Sequence, residues 1–166
     1  MVEPFSPEPF ARFYAATMPA LRSYVGRVGG PSIADDILQE SYIRMLKAPP
    51  IPEDKRKSYL YRVATNLIMD HQRALARQRR WWHWGVRPSE SVEPGLDVSS
   101  DVQRLFALLG PKERALLWLA YVEGAEHREI AEILKVREGS VKVMLFRARR
   151  RMEGILRDHG YEAGHE

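Results

Sequence analysis

The sequence predicts an all-α protein built as two small helical domains joined by a flexible linker. Three observations predict it. Apolar residues recur at three- and four-residue spacing through most of the chain, the period of helices packed on one face. The second half carries no strand signal. Between the halves, 85–100 holds two Pro, two Gly and four Ser with no sustained period, which is linker composition. The expected division is therefore 1–84, a linker over 85–100, and 101–166. A length of 166 residues leaves room for one ordinary domain or two very small ones. Two small helical units would each bury little core.

The first helix is expected from about Pro9 to Val28, with Phe10, Phe13, Tyr14, Thr17, Leu21, Tyr24, Val25 and Val28 on one face. Pro19 lacks an N–H and crowds the preceding turn, so it should kink or break that helix. Gly29-Gly30-Pro31 ends it. Ser32, with Asp35 three residues on, reads as a variant capping box opening a second helix to about Lys47. That helix starts acidic and ends basic, as its dipole favours. The prolines of 48–54 exclude helix there, so a loop leads into a long helix from Arg56 to about Arg80. Its apolar stripe is Leu60, Val63, Ala64, Leu67 and Ile68, with Arg62, Asn66, Asp70, Arg73 and Arg77 on other faces.

In the second half, Ser100 is expected to cap a helix bearing Val102, Leu105, Phe106, Leu108 and Leu109. Gly110-Pro111 breaks it, and Pro111 suits the start of the next helix, over Lys112 to Glu123. Gly124 ends that one. A short helix over Arg128 to Lys135 and a last one from Gly139 to about Leu156 complete the set.

Composition narrows the function. Hydrophobic residues are 45% and charged residues 29%, the balance of a soluble globular chain. The longest apolar run, Ala115 to Val122, is far short of the roughly 20 residues that span a membrane. The start of the chain lacks the basic and apolar segments of a signal peptide, so a cytoplasmic location without membrane insertion is expected. With no cysteine there is no disulfide framework, no thiolate metal site and no cysteine nucleophile. The hydrolase serine elbow, the phosphate-binding glycine loop, the zinc-protease motif and clustered metal ligands are all missing, which argues against an enzyme. No catalytic residue, metal or cofactor is expected.

The net charge of +4 hides its distribution. From Lys55 to Arg80, eight basic residues (Lys55, Arg56, Lys57, Arg62, Arg73, Arg77, Arg79, Arg80) oppose only Asp70. From Arg137 to Arg151, six basics oppose only Glu138. Between them, Pro88 to Asp101 carries four acids and no base. Two positive blocks flank an acidic connector, and clustered cations are the footprint of a nucleic-acid partner.

The segment from Glu129 to Lys142 has the pattern of a helix-turn-helix, whose second helix can enter a DNA major groove. Ala131 is small where the helices would cross, Ile130 and Leu134 face inward, and Val136 and Val141 plug the turn. Ser140 sits where a hydroxyl can cap the second helix or contact phosphate. Lys142, Arg147, Arg149, Arg150 and Arg151 follow, cations able to reach phosphates or guanine edges. An amphipathic helix pair with a solvated basic face is the plainer alternative.

The first basic block is compatible with a membrane surface, a calmodulin-type partner or nucleic acid. Tyr59, Tyr61, Trp81, Trp82 and Trp84 lie in or beside it, and aromatic faces among arginines suit unstacked bases. For the three tryptophans, packing of one domain on the other is the favoured reading. His83 carries no assignment.

Together the halves resemble the extracytoplasmic-function sigma factors of the sigma-70 family. The stretches Asp35 to Leu46 and Ser58 to Asp70, with the basic tail beyond, are similar to the family's second conserved region. Leu109 to Arg114, Glu129 to Ala131, Gly139 to Lys142 and Arg147 to Arg149 are similar to its fourth. The match covers almost the whole chain, in the family's order, and response-regulator output domains share only the second part.

The resemblance implies that core RNA polymerase and promoter DNA are the partners. Asp36, Gln39, Glu40 and Arg44 would dock on the coiled coil of the polymerase's largest catalytic subunit. The loop from Pro49 to Ser58 and the next helix would hold the melted non-template strand of the minus-ten element. The matched positions are Ser58, Tyr59, Arg62, Asn66, Asp70, Arg73 and Arg77. Opening duplex costs a few kcal/mol per step, which a pocket for an extruded base offsets. Arg137, Ser140, Lys142, Val143, Phe146 and Arg147 would read the minus-thirty-five element as duplex. The acidic linker would run toward the RNA-exit path, and an anti-sigma factor is a plausible further partner.

Three departures from the family pattern stand out. Lys135 occupies a turn position often held by Gly, Tyr59 replaces a frequent Trp, and Val143-Met144 replaces a common Ser-Arg pair. Two other readings of the same residues are a regulator that binds a palindromic operator without polymerase, and an adaptor that binds polymerase but no specific DNA.

Overall fold

Helix α1 spans Pro7–Gly29, with Pro7 at its first turn, where a missing N–H costs nothing. It runs unbroken through Pro19, so the expected break does not occur. Leu21, Tyr24, Val25 and Val28 on its inner face are fully buried. In this computed structural model the described residues are 5–82 and 98–162, apart from the side chains of 82 and 98–100. His83, Trp84 and the part of the expected linker up to 97 lie outside them, while 98–100, expected as linker, belong to a helix.

Helix α2, Ala34–Lys47, begins after a turn, with Ile33 and not Ser32 at its N-cap and no side-chain cap bond. Asp35 and Asp36 in the first turn, with Arg44 and Lys47 in the last, complement its dipole as expected. Helix α3, Glu53–Trp82, starts three residues earlier than predicted. Pro52 ends the proline restriction, and its carbonyl accepts from the Lys55 N–H at 2.9 Å. Leu60, Ala64 and Ile68 of the predicted stripe are buried, while Val63 and Leu67 are half-buried.

The second half comprises α4 (Val98–Phe106), α5 (Pro111–Tyr121), α6 (His127–Leu134) and α7 (Glu138–Asp158). Because α4 opens at Val98, Ser100 lies inside it and does not cap it. Glu113 Oε2 accepts from the Gly110 N–H at 2.9 Å, and Glu129 Oε2 from the Glu126 N–H at 3.2 Å. Both are the returning half of a capping box. The described residues are helical and contain no strand, and no helix among them is long and apolar enough to cross a membrane.

The two halves pack on each other, with α1 and α3 of the first against α5 and α6 of the second. Arg114 of α5 is the main tie. Its Nε and Nη2 donate to the Val28 carbonyl at 3.0 and 2.9 Å, near the negative end of α1, and its Nη1 donates to the carbonyls of Ala107 and Leu109. Burial pulls this guanidinium's pKa below its usual value, partly opposed by Glu113.

Candidate nucleic-acid interface

The helix-turn-helix forms as α6, a turn, and α7. Ile130, Ala131 and Ile133 of α6 are buried and Leu134 is half-buried, so the inward set is wider than the sequence pattern suggested. Lys135 adopts the left-handed conformation, φ 54 and ψ 48, and its N–H returns to the Ala131 carbonyl. This explains why a glycine suits that position. Val136 is half-buried and Val141 fully buried, sealing the turn. Ser140 is not the cap of α7. Arg137 holds that place, and the Ser140 N–H donates to the Arg137 carbonyl at 3.0 Å, leaving the hydroxyl exposed in the first turn.

Helix α7 divides cleanly. Val141, Leu145 and Ala148 are buried on one side. Arg137, Ser140, Lys142, Val143, Phe146 and Arg147 are all exposed. Two large apolar side chains stand among the cations, Val143 at 49% and Phe146 at 55% exposure. A groove-facing helix uses such apolar groups on thymine methyls and its cations on phosphates and guanine edges.

The α3 residues are placed differently. Arg62, Asp70, Arg73 and Arg77 are exposed, while Ser58, Tyr59 and Asn66 are half-buried. Asp70 and Arg73 pair with each other at 2.8 Å. Helix α6 lies along this part of α3. Asn66 and Arg73 share a cleft of about 670 Å³ with Leu134 and Lys135 of the second half. Ser58, Tyr59 and Arg62 line a smaller hollow of about 210 Å³ with Ile51, Lys55 and Glu132.

Tyr61, expected among aromatics able to stack on bases, is instead 2% exposed core. Its hydroxyl donates to Glu123 Oε1 at 2.8 Å, and its ring lies 5.2 Å from that of Tyr24. The Tyr24 hydroxyl donates to Thr65 Oγ1, which itself donates to the Tyr61 carbonyl, so this buried polar chain is satisfied throughout. Burial raises the pKa of both phenols, and the Glu123 carboxylate raises that of Tyr61 further. Trp81, expected to pack between domains, projects at 84% exposure.

Sequence reasoning missed three contacts. Glu123 faces Lys57 at 3.7 Å, Glu132 faces Lys55 at 3.6 Å, and Arg56 bonds the Ile51 carbonyl at 3.1 Å beneath the Phe5 ring. No local periodicity signals the two glutamates, whose lysine partners lie far off in the chain.

On α2, Asp36, Gln39 and Arg44 are exposed and Glu40 is half-buried. Glu40 and Arg44 pair at 2.8 Å. Of these four, Gln39 lines a groove together with Tyr14, Leu38, Tyr42 and Leu46. Among the described residues there is no cluster of His, Asp or Glu fit to hold a metal.

Known proteins match both halves of the chain. Residues 13–78 match the family description Sigma-70 region 2, and 99–152 match Sigma-70, region 4. The chain is 30% identical over 149 residues to the ECF RNA polymerase sigma factor SigW of Bacillus subtilis, covering 79% of each chain. It is 29% identical over 137 residues to the probable ECF RNA polymerase sigma factor SigI of Mycobacterium tuberculosis, covering 75% of this chain and 47% of the relative. It thus spans about half the length of that first relative. Its fold is shared with the sigma factor RpoE of Bartonella quintana, solved in complex with the anti-sigma factor NepR, at a TM-score of 0.71 and 18% identity over 89% of this chain and 96% of the other. The architecture and the two regions in this order identify the chain as a member of the extracytoplasmic-function sigma factors of the sigma-70 family.

Proposed function

We propose that this chain binds core RNA polymerase, directs it to specific promoters and promotes melting of their DNA. The observation that carries this reading is the pairing, in one chain, of an exposed duplex-suited face on α7 with a long cationic helix, α3. A regulator that only binds an operator has use for the first and none for the second.

The roles divide by element. Asp36, Gln39, Glu40 and Arg44 on α2 dock on polymerase, with the adjoining Tyr14 and Leu46 surface adding apolar contact. Ser58, Tyr59, Arg62, Asn66, Asp70, Arg73 and Arg77 receive the non-template strand of the minus-ten element. Arg137, Ser140, Lys142, Val143, Phe146 and Arg147 read the minus-thirty-five element, cations fixing register on phosphates while Val143 and Phe146 add apolar base contacts. The functional units follow the division 1–84, 85–100 and 101–166, the protein works in the cytoplasm beside polymerase, and an anti-sigma factor restrains it. That restraint is supported by the partner seen with the Bartonella quintana protein.

Run-off transcription with core polymerase and a promoter library, with and without this protein, tests the reading. New, sequence-specific start sites are expected only when it is present. If none appears, the sigma reading fails.

A further inference from the structure

The cleft of about 670 Å³ that holds Asn66 and Arg73 carries side-chain charge of one sign. Arg73 and Arg79 line it from α3, and Lys112 at the start of α5 and Lys135 after α6 line it from the second half. All four are exposed, and no carboxylate stands among the described residues that line the cleft. Arg73 is engaged by Asp70 at 2.8 Å, but Arg79, Lys112 and Lys135 enter no ion pair among the described residues. Like charges around one space repel each other, and an anion held between them removes that cost.

The rest of the lining is of another kind. Met69, Leu75 and Leu134 are half-buried and supply apolar surface. Asn66 and Gln72 are half-buried as well, and neither side-chain amide bonds another described residue, so each keeps donors and an acceptor to offer. From Thr65 to Arg79 the α3 wall is about 21 Å long, at about 1.5 Å per residue. Cations suit phosphates, apolar surface suits the face of a base, and free amides suit its edge. A bare anion has no use for the last two. We propose that this cleft binds a free nucleoside polyphosphate, its phosphates on Arg79, Lys112 and Lys135 and its base on Met69 and Leu134, with Asn66 and Gln72 at the base edge. The site goes beyond the promoter-binding reading and stands without it, although Asn66 and Arg73 are common to both. Since the phosphate-holding cations come from both halves, the nucleotide bridges them and stabilises the folded chain.

The test uses the full chain and ATP carrying a fluorescent label on its ribose, followed by anisotropy at about 0.1 M salt. Saturable binding is expected. Unlabelled ATP should displace the probe, inorganic tripolyphosphate about tenfold less well for want of a base, and adenosine about a hundredfold less well for want of phosphates. Lys112→Gln/Lys135→Gln should weaken binding at least about tenfold, and Arg79→Gln, on the α3 wall, at least about threefold. Arg12→Gln/Arg157→Gln removes the same charge as the lysine pair from exposed positions elsewhere and should change binding by less than about twofold.

Equal weakening in the two double variants would reduce the effect to net charge and overturn the proposal. So would an unaltered Arg79→Gln variant, since the site would then not bridge the two walls. Tripolyphosphate competing as well as ATP would remove the base from the assignment and the nucleotide with it. A DNA backbone offers the same phosphate oxygens, so an unlabelled single strand of about 20 nucleotides is the last competitor. If, at equal phosphate concentration, it displaces the probe better than ATP does, the cleft belongs to the strand and the separate nucleotide site is wrong. Weaker displacement by the strand than by ATP supports a site for the free nucleotide.

Discussion

Helices α3 and α7 are both long, amphipathic and cationic, yet they meet solvent on different terms. Helix α7 buries Val141, Leu145 and Ala148 within its own half and leaves its whole opposite face open. Helix α3 buries Leu60, Ala64 and Ile68 within the first half, and its other side is then shared with α6. The difference teaches that a charged face on an amphipathic helix is not automatically an available one. The face of α7 is open as it stands, whereas Ser58, Tyr59 and Asn66 of α3 are half-buried on the side that α6 shares. Helix α6 joins the two situations, since it covers α3 with one side and supports α7 with another.

The largest effect is therefore expected where α6 itself is loosened. Ile130 is fully buried in α6, and Ile130→Ala should cost about 2 to 5 kcal/mol through lost burial and an unfilled cavity. Thermal unfolding followed by circular dichroism measures the loss. Duplex binding should weaken because α7 loses its support, while cleavage by a protease at the basic residues of α3 should rise. If duplex binding falls and α3 stays protected, the two roles of α6 are separable.

The next effect separates the faces without disturbing the fold. Arg147→Ala or Lys142→Ala should each weaken recognition of the upstream duplex by about 1 to 3 kcal/mol, near tenfold or more, in gel shifts. Asn66→Ala should leave that binding intact and slow formation of the open complex, read by permanganate reactivity of unpaired thymines. Equal losses of duplex binding in all three variants would erase the division between strand and duplex sites.

How far this could be read from the sequence follows from range. The face of α7 was legible because its buried and exposed positions alternate within a single helix, so spacing alone sorts Leu145 from Arg147. The same holds for the buried core of α3 at Leu60, Ala64 and Ile68. Helix starts were less legible. Ser32 and Ser100 have the right chemistry for caps, but α2 starts past the turn at Ile33 and α4 starts earlier at Val98. Local propensity names the residues able to cap without fixing which one the turn presents. The covering of α3 was not legible at all. Tyr61 and Glu123 are 62 positions apart, and only tertiary packing makes a core hydroxyl donor of an aromatic that looked like a stacking platform. Trp81 erred the other way, for an apolar ring before a linker suggests burial and the structure leaves it in solvent.

The smallest expected effect lies at the turn between the covering helix and the reading helix. Lys135 holds φ 54 and ψ 48, a conformation costing an L-residue about 1 to 2 kcal/mol that glycine adopts without strain. Glycine also frees the unfolded chain, which returns about 0.5 to 1 kcal/mol of that gain. Lys135→Gly should therefore stabilise the protein by about 0.5 to 1 kcal/mol, raising Tm by about 2 °C. Since the side chain is exposed and stands beside the cleft over Asn66 and Arg73, its removal also asks where one face ends and the other begins. Unchanged duplex affinity with a higher Tm would leave Lys135 as a strained turn residue outside both faces. A loss of duplex affinity greater than about twofold would make its ammonium a phosphate contact, extending the open face of α7 back across the turn onto α6.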